Sequence, residues 1–225
     1  MTTTFTMQQC REELLKNASG EQKIRITSFS SFFKVNQPAH LVVLLFVVYF
    51  WSIITNDSPK DLSSSPFLNL IYLASFAFHF GAQIWMTFVS GIILFLTVPR
   101  HTFGLVQEQL FPRYFLLNTA LSFITVNTFL QRINIWAEQT QMVLLCVCFF
   151  SELITWLYLV PPILSILQGT GGEDSKRANQ CPLHGPLKKC FKRLHNVAAV
   201  ANIIAIACNT LHLYHLANQL STIAK

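Results

Sequence analysis

The stretch LIYLASFAFHFGAQIWMTFVSGIILFLTV, residues Leu70 to Val98, contains no charged side chain. As one continuous helix it would be about 43 Å long, because an α-helix rises about 1.5 Å per residue. That length exceeds the roughly 30 Å hydrocarbon core of a bilayer. We therefore predict a membrane-spanning helix that tilts, kinks or extends into the headgroup layers.

The rest of the chain has the same character. Of its 225 residues 52% are apolar and only 12% are charged, whereas a soluble domain has roughly 25% charged residues. Five apolar runs are each long enough to cross a bilayer as a helix: Ala39 to Thr55, Phe67 to Val98, Tyr114 to Leu130, Met142 to Gln168 and Val197 to Ala217. The fold predicted from these runs is an all-α integral membrane helical bundle with five transmembrane helices.

The distribution of Lys and Arg predicts the orientation of the bundle. With five spans, thirteen of the sixteen basic residues lie on one side of the membrane and three on the other. Without the first span the two sides would carry eight each. Because basic residues concentrate in cytosolic loops, we predict a cytosolic N-terminus and a lumenal or extracellular C-terminus. The net charge of +6 fits cytosolic flanks that meet anionic lipid, and it indicates no nucleic-acid partner.

These spans divide the chain into four segments. Residues 1–36 are predicted to be a flexible cytosolic N-terminus, and residues 39–55 the first transmembrane helix. Residues 67–217 form the membrane core, with a cytosolic linker at 169–194, and residues 218–225 form a lumenal tail. Pro161 and Pro162 are expected to kink or stop the fourth helix by about Tyr158, because proline breaks the helical hydrogen-bond ladder.

Polar side chains recur at helical spacing on two of the runs. On the second run His79 and Gln83 share a face with Ser75, Thr87 and Ser90. The fifth run carries a small and polar seam: His195, Ala198, Asn202, Ala205, Asn209 and His212. Such stripes face protein rather than lipid. They predict a bundle interior, either as a packing seam, which we favour, or as the wall of a cavity.

Glu152 is the carboxylate that falls within the fourth apolar run. An ionisable group at that depth is costly and is a candidate for proton or cation handling. The alternative is a neutral or hydrogen-bonded carboxyl whose partner is His79, Gln83 or an asparagine. The sequence leaves both interpretations open.

Between the second and third runs, residues 99–115 mix basic and apolar side chains between Pro99 and Pro112. We predict a short amphipathic helix at the cytosolic headgroup level. Its basic residues would lie near lipid phosphates and its apolar residues would enter the bilayer. The residues assigned to this position are Arg100, His101, Phe103 and Arg113.

Two motifs resemble a known family. The run QIWMTFVSG, Gln83 to Gly91, and the run PRHTFGLVQ, Pro99 to Gln107, followed by Leu-Phe-Pro, closely resemble the signature of the transmembrane protein 205 family of small eukaryotic membrane proteins. Weaker similarity extends the resemblance over roughly residues 70–217. It implies a four-helix membrane core, to which residues 1–66 add an N-terminal span, and a location in the secretory pathway or at the cell surface.

The cysteine and histidine residues form no recognised site. Cys181, His184, Cys190 and His195 have no standard zinc-finger spacing, and Cys208, His212 and His215 on adjoining turns more often simply pack together. Cys190 beside Lys188 and Lys189 is a palmitoylation candidate, but we favour a plain buried or free thiol. Phosphate loops, nucleophile elbows and paired carboxylates are absent from the sequence. We predict no catalytic residue, no bound metal and no cofactor.

Three functions fit the sequence. The favoured one is a non-enzymatic accessory or scaffold subunit of a larger membrane assembly, involved in lipid handling or trafficking, in the endoplasmic reticulum or plasma membrane. Its partners would be membrane lipids and other membrane subunits. The alternatives are a small transporter or channel that uses the polar stripes, and a haem or metal redox protein that uses the histidines.

Overall fold

The computed structural model describes residues 37–55, 65–132, 138–170 and 184–223, and all regular structure in these ranges is helical. Seven α-helices and two π-helical turns follow one another in these ranges: α1 Gln37–Thr55, α2 Pro66–Ile84, a π turn Trp85–Ser90, α3 Gly91–Thr97, α4 Arg100–Arg132, α5 Gln139–Ile154, a π turn Thr155–Leu159, α6 Val160–Thr170 and α7 His184–Ile223. Residues 1–36, predicted to be flexible, lie outside the described residues.

Three of the described helices are long and apolar enough to cross a membrane: Pro66–Thr97, Gln139–Leu164 and Lys189–Thr222. A shorter apolar helix covers Ala39–Ile53. Helix α7 begins ten residues before the predicted end of the linker, and it includes residues 218–223 of the predicted tail. The chain is therefore an all-helical bundle with membrane-spanning helices.

The long second run stays helical by means of a π turn. The Gly91 N–H donates to the carbonyl oxygen of Met86, five residues earlier. A Cβ atom at position 91 would lie only 2.8 Å from that carbonyl oxygen, so the close approach requires glycine. Because the turn holds one extra residue, the faces of α3 are rotated by about 100° relative to those of α2.

The fourth run does not stop at its prolines. A second π turn, Thr155–Leu159, precedes them, and helix α6 continues to Thr170. A proline in a regular helix clashes with the carbonyl group four residues earlier. The wider π turn moves those carbonyl groups away from the proline rings. A π turn within a continuous helical segment therefore takes the place of the kink expected near Tyr158.

The separate amphipathic helix predicted for residues 99–115 is wrong. These residues form the first half of α4, which runs without interruption from Arg100 to Arg132 with Pro112 inside it. The buried Gln107 and the half-buried Phe111 face the bundle rather than lipid headgroups. Phe111 packs against the core cluster of α6 and α7 residues. These contacts hold the segment in the helix, although Pro112 removes one backbone hydrogen bond.

Neighbouring helices alternate in direction. Thr125 on α4 meets Ser75 on α2, and Phe129, one turn later, lies against Tyr72, one turn earlier, so α2 and α4 are antiparallel. Cys148 meets Ala205 and Gln141 meets His212, so α5 and α7 are antiparallel. Phe111 meets His195 and Tyr114 meets Asn202, so α4 and α7 are parallel. Phe46 lies against Phe123 and Tyr49 donates to Asn127 four residues later, so α1 is parallel to α4. Helices α1, α4 and α7 therefore run one way, and α2 and α5 the other.

Helix α1 joins the bundle through aromatic rings. Phe46 and Phe50 contact the fully buried Phe149 of α5, with ring centroids 5.1 and 5.5 Å apart. Phe123 of α4 closes the cluster on its other side. Edge-to-face contacts of this kind add stability beyond the area they bury. They attach α1 to the outside of α4 and α5.

Candidate functional site

Four buried polar side chains from three helices meet in the bundle interior. His79 and Gln83 come from α2, Glu152 from α5 and Asn209 from α7; we call them the central polar network. Glu152 Oε1 accepts hydrogen bonds from His79 Nε2 at 2.6 Å and from Gln83 Nε2 at 2.7 Å. Asn209 Nδ2 donates to Gln83 Oε1 at 2.8 Å and to His79 Nδ1 at 3.2 Å. The stripe predicted on α2 and the seam predicted on α7 thus face each other.

The network leaves two buried oxygen atoms without a partner. These are Oε2 of Glu152 and Oδ1 of Asn209. His79 Nε2 and Glu152 Oε1 lie 2.6 Å apart and share a hydrogen bond. The cost of a net charge inside a membrane favours a His79–Glu152 pair that is neutral as a whole.

A second polar cluster lies about one turn further along α7. His212, which is fully buried, accepts a hydrogen bond from the Tyr72 hydroxyl at its Nε2 atom and donates from Nδ1 to Gln141 Oε1 at 2.8 Å. Both ring nitrogens are therefore occupied. The Cys208, His212 and His215 group considered from the sequence does not converge on a metal site. His215 instead lies 3.1 Å from a Glu138 carboxylate oxygen.

The third polar cluster links the π turn after α2 and the middle of α7 to α4. Tyr114 Oη donates to Asn202 Oδ1 at 2.9 Å, and Asn202 Nδ2 donates to Thr87 Oγ1 at 2.7 Å. All three residues also line a cavity of about 500 Å³ between α3, the first half of α4 and α7. We call it the lateral cavity. Its volume lies within the roughly 300–1,000 Å³ range of ligand pockets.

The lateral cavity is predominantly apolar. Its aliphatic and aromatic walls include Ile92, Phe95, Phe103 and Leu110. The ring of His195 also lines it and stacks on Phe111 with ring centroids 5.7 Å apart. The buried Nδ1 atom of His195 has no hydrogen-bond partner. The cavity therefore combines apolar walls with a few polar atoms that could orient a ligand.

The residues assigned to the headgroup level are distributed differently from the prediction. Phe103 lines the lateral cavity. Arg113 is exposed and donates to the carbonyl oxygen of Gln109 on its own helix at 3.1 Å. Arg100 and His101 lie in the first turn of α4. Cys190, considered for palmitoylation, is buried in the core cluster beside Leu194 and Ala198, so its thiol is not available at the surface.

Sequence reasoning missed three buried side chains in or beside these clusters. Tyr72 lies one turn before Ser75 and seven residues before His79, so extending the α2 stripe by one turn would have included it. Gln141 precedes the predicted start of the fourth run at Met142. Cys148, 1% exposed, lies one turn before Glu152, and that helical spacing could have identified it.

Comparison with known proteins supports the resemblance seen in the sequence. Residues 74–169 match the family model of a domain of unknown function, DUF4149. Transmembrane protein 205 of Danio rerio is 30% identical over 191 residues, which cover 75% of this chain and 99% of that protein. No solved structure matches the chain. The matched domain contains His79, Gln83 and Glu152, whereas Asn209 lies beyond it.

Proposed function

The chain belongs to the transmembrane protein 205 family, and from that premise we propose that it is a non-enzymatic, multi-pass membrane protein that binds an anionic phospholipid in its lateral cavity. It would act in lipid handling, in the endoplasmic reticulum or plasma membrane. The observation that carries this proposal is the cavity itself. It is apolar, it opens between helices, and it has the volume of a ligand site.

The walls of the cavity suit an acyl chain. Phe95 and Ile92 of α3 are largely exposed on the outer side of the bundle while they also line the cavity. A lipid chain could therefore enter sideways from the bilayer without crossing a polar barrier. The hydrogen-bonded Thr87 and Asn202 at the cavity wall offer polar contacts for the ester region of a phospholipid.

Positive charge lies next to the cavity on α7. Lys192 is exposed and precedes the cavity-lining residues His195 and Ala199 by three and seven residues, so it shares their helical face. Lys189 is one turn earlier and is also exposed. Each basic side chain near a membrane surface contributes about 1 kcal/mol to the binding free energy of anionic lipid. This charge favours an anionic over a zwitterionic headgroup.

The proposal includes all five transmembrane spans and the predicted orientation. The alternating directions of α1, α2, α4, α5 and α7 support it, because successive crossings of one bilayer must alternate. The same proposal leaves room for an accessory role in a larger assembly. The helical span Pro66–Thr97 buries little of its apolar surface within the chain, so another membrane subunit could pack against it.

Filling the cavity should abolish lipid retention. Ala199 is exposed and lines the cavity, so Ala199→Phe places a ring inside it without disturbing the core. We expect delipidated full-length protein to bind phosphatidylserine from mixed micelles. The variant should bind at least about tenfold less, a typical effect of steric misfit in an apolar pocket. Bound lipid per chain is measured by mass spectrometry.

The matched control is Ala207→Phe, which adds the same ring to an exposed position of α7 outside the cavity lining; it should bind like the wild type. Lys192→Ala should reduce the preference for phosphatidylserine over phosphatidylcholine by about fivefold. Equal binding by the two phenylalanine variants would refute the proposal.

Purification of the protein in mild detergent tests the accessory role, when the purified sample is also analysed for other proteins. A stoichiometric partner supports the role, and a lone chain contradicts it.

Glycosylation mapping tests the five spans. An acceptor site added after Lys225 should be glycosylated in microsomes, because the C-terminus is proposed to be lumenal. Acceptor sites added before Met1 or within residues 171–183 should remain unmodified. If α1 did not span the membrane, the two termini would lie on the same side. In that case the N-terminal and C-terminal sites would be modified alike.

A further inference from the structure

Three possible metal ligands lie together beside the central polar network. A ring nitrogen of His79, the Sγ atom of Cys148 and a carboxylate oxygen of Glu152 all lie within 4.8 Å of one another, and all three residues are buried. They come from α2 and α5, whose polar side chains meet in the bundle interior. Imidazole, thiolate and carboxylate are the three groups that bind Zn²⁺ in proteins.

A second observation points to a ligand at the same place. Glu152 Oε2 and Asn209 Oδ1 are buried and have no hydrogen-bond partner, on side chains that are only 2% and 1% exposed. Buried polar atoms are normally satisfied. Both unpartnered atoms are oxygens, and an oxygen on Glu152 can bind a cation directly.

From these two observations we propose that His79, Cys148 and Glu152 form an intramembrane site for a divalent transition-metal ion of the Zn²⁺ class. The ion replaces the proton between His79 Nε2 and the Glu152 carboxylate. These atoms are 2.6 Å apart when hydrogen-bonded. They separate to about 3.3–3.5 Å around a tetrahedral ion, because the bonds from the ion to nitrogen and oxygen are about 2.0–2.2 Å long. Three protein ligands leave one position of the ion open.

The charge balance suits a membrane interior. Binding of the ion releases the thiol proton of Cys148 and one proton from the neutral His79–Glu152 pair, so two positive charges leave as two enter. The site is neutral before and after, which avoids the cost of an uncompensated charge in lipid. Neither Mg²⁺ nor Ca²⁺ fits as well, because both prefer oxygen ligands to a thiolate.

Asn209 would position His79 rather than bind the ion. When Nε2 binds a metal, the ring proton moves to Nδ1, and a metal-bound histidine usually donates that proton to a nearby acceptor. Asn209 already contacts His79 Nδ1. Rotation of its amide group would bring the unpartnered Oδ1 atom to accept this proton and would break the hydrogen bond from Asn209 Nδ2 to Gln83 Oε1. The orientation of Asn209 therefore distinguishes the proton-bound from the metal-bound state.

The test uses full-length protein in detergent, loaded with Co²⁺ as a spectroscopic substitute for Zn²⁺ and then desalted. We expect about one Co²⁺ per chain, with a thiolate-to-cobalt charge-transfer band and the visible bands of tetrahedral coordination. Cys148→Ala should lose the charge-transfer band and nearly all retained metal. Glu152→Gln should also lose the metal. Its amide oxygen can still accept from His79 and Gln83, so the fold should persist, which a thermal melt without metal verifies.

Cys146→Ala is the matched control, because Cys146 lies on the same helix outside the ligand group and its loss should leave metal retention unchanged. No retained metal in the wild type would overturn the proposal. Equal retention by the wild type, Cys148→Ala and Glu152→Gln would show adventitious metal only and would overturn it as well. Phospholipid binding is measured separately, so the lateral cavity and this site can fail independently.

Discussion

Replacement of Asn209 by leucine is expected to lower the free energy of unfolding by about 2–4 kcal/mol. Asn209 Nδ2 donates to Gln83 Oε1 and to His79 Nδ1, and all three side chains are buried. Without the amide group, two buried acceptors lose a donor. Each unsatisfied buried group costs roughly 1–3 kcal/mol. The lower half of the combined range applies, because hydrogen bonds between membrane helices contribute modestly.

The measurement is reversible unfolding of the full-length protein in mixed micelles. Asn196→Leu is the matched control, since Asn196 is an exposed asparagine of the same helix, and it should change stability by no more than about 0.5 kcal/mol. The double variant Asn209→Leu/Gln83→Leu should lose less than the sum of the single losses, because the two side chains share a hydrogen bond. Additive losses would show that the contact between them contributes nothing.

Replacement of Phe149 by alanine is expected to cost about 3–5 kcal/mol, the usual range for removing a buried phenylalanine ring. The ring is fully buried and contacts Phe46 and Phe50 of α1 as well as Phe123 of α4. Its removal leaves a cavity at the junction of three helices. Because van der Waals packing rather than the hydrophobic effect holds helices together in lipid, the loss of these contacts directly lowers the free energy of unfolding.

Unfolding in the same micelles measures the effect. Phe78→Ala is the control: Phe78 is 70% exposed on α2, and removal of its ring should change stability by only about 0.5 kcal/mol. Equal losses for Phe78→Ala and Phe149→Ala would contradict the structural role of the α1 junction. A loss confined to Phe149→Ala would confirm that the ring cluster at the junction of α1, α4 and α5 stabilises the bundle.

Much of the fold follows from the sequence. Apolar runs without charge predict membrane helices, because lipid offers no partner for an exposed backbone or a charge. The helical period places His79 and Gln83 on one face and Asn202, Asn209 and His212 on another. That these faces turn inward also follows, since polar groups avoid lipid. The family resemblance, too, was carried by the runs Gln83–Gly91 and Pro99–Gln107 and is confirmed by comparison.

Local rules were less reliable at the prolines. The segment between Pro99 and Pro112 was expected to be a separate helix, yet α4 runs through Pro112. Pro161 was expected to kink or stop the fourth helix, yet a π turn accommodates it. A proline costs a helix only a few kcal/mol. Contacts along a 33-residue helix can offset that cost, and the sequence of the segment alone does not reveal those contacts.

The sequence by itself determined that this protein folds into apolar helices in lipid and which faces of α2 and α7 turn inward, because these depend on local composition and on a period of 3.6 residues. Only the tertiary structure decided that His79 meets Glu152, that Asn209 bridges His79 to Gln83, and that a cavity opens beside α3. Such pairings depend on the depth and rotation of each helix in the bundle. Many side chains fix these two quantities jointly, and each π turn shifts them by one residue.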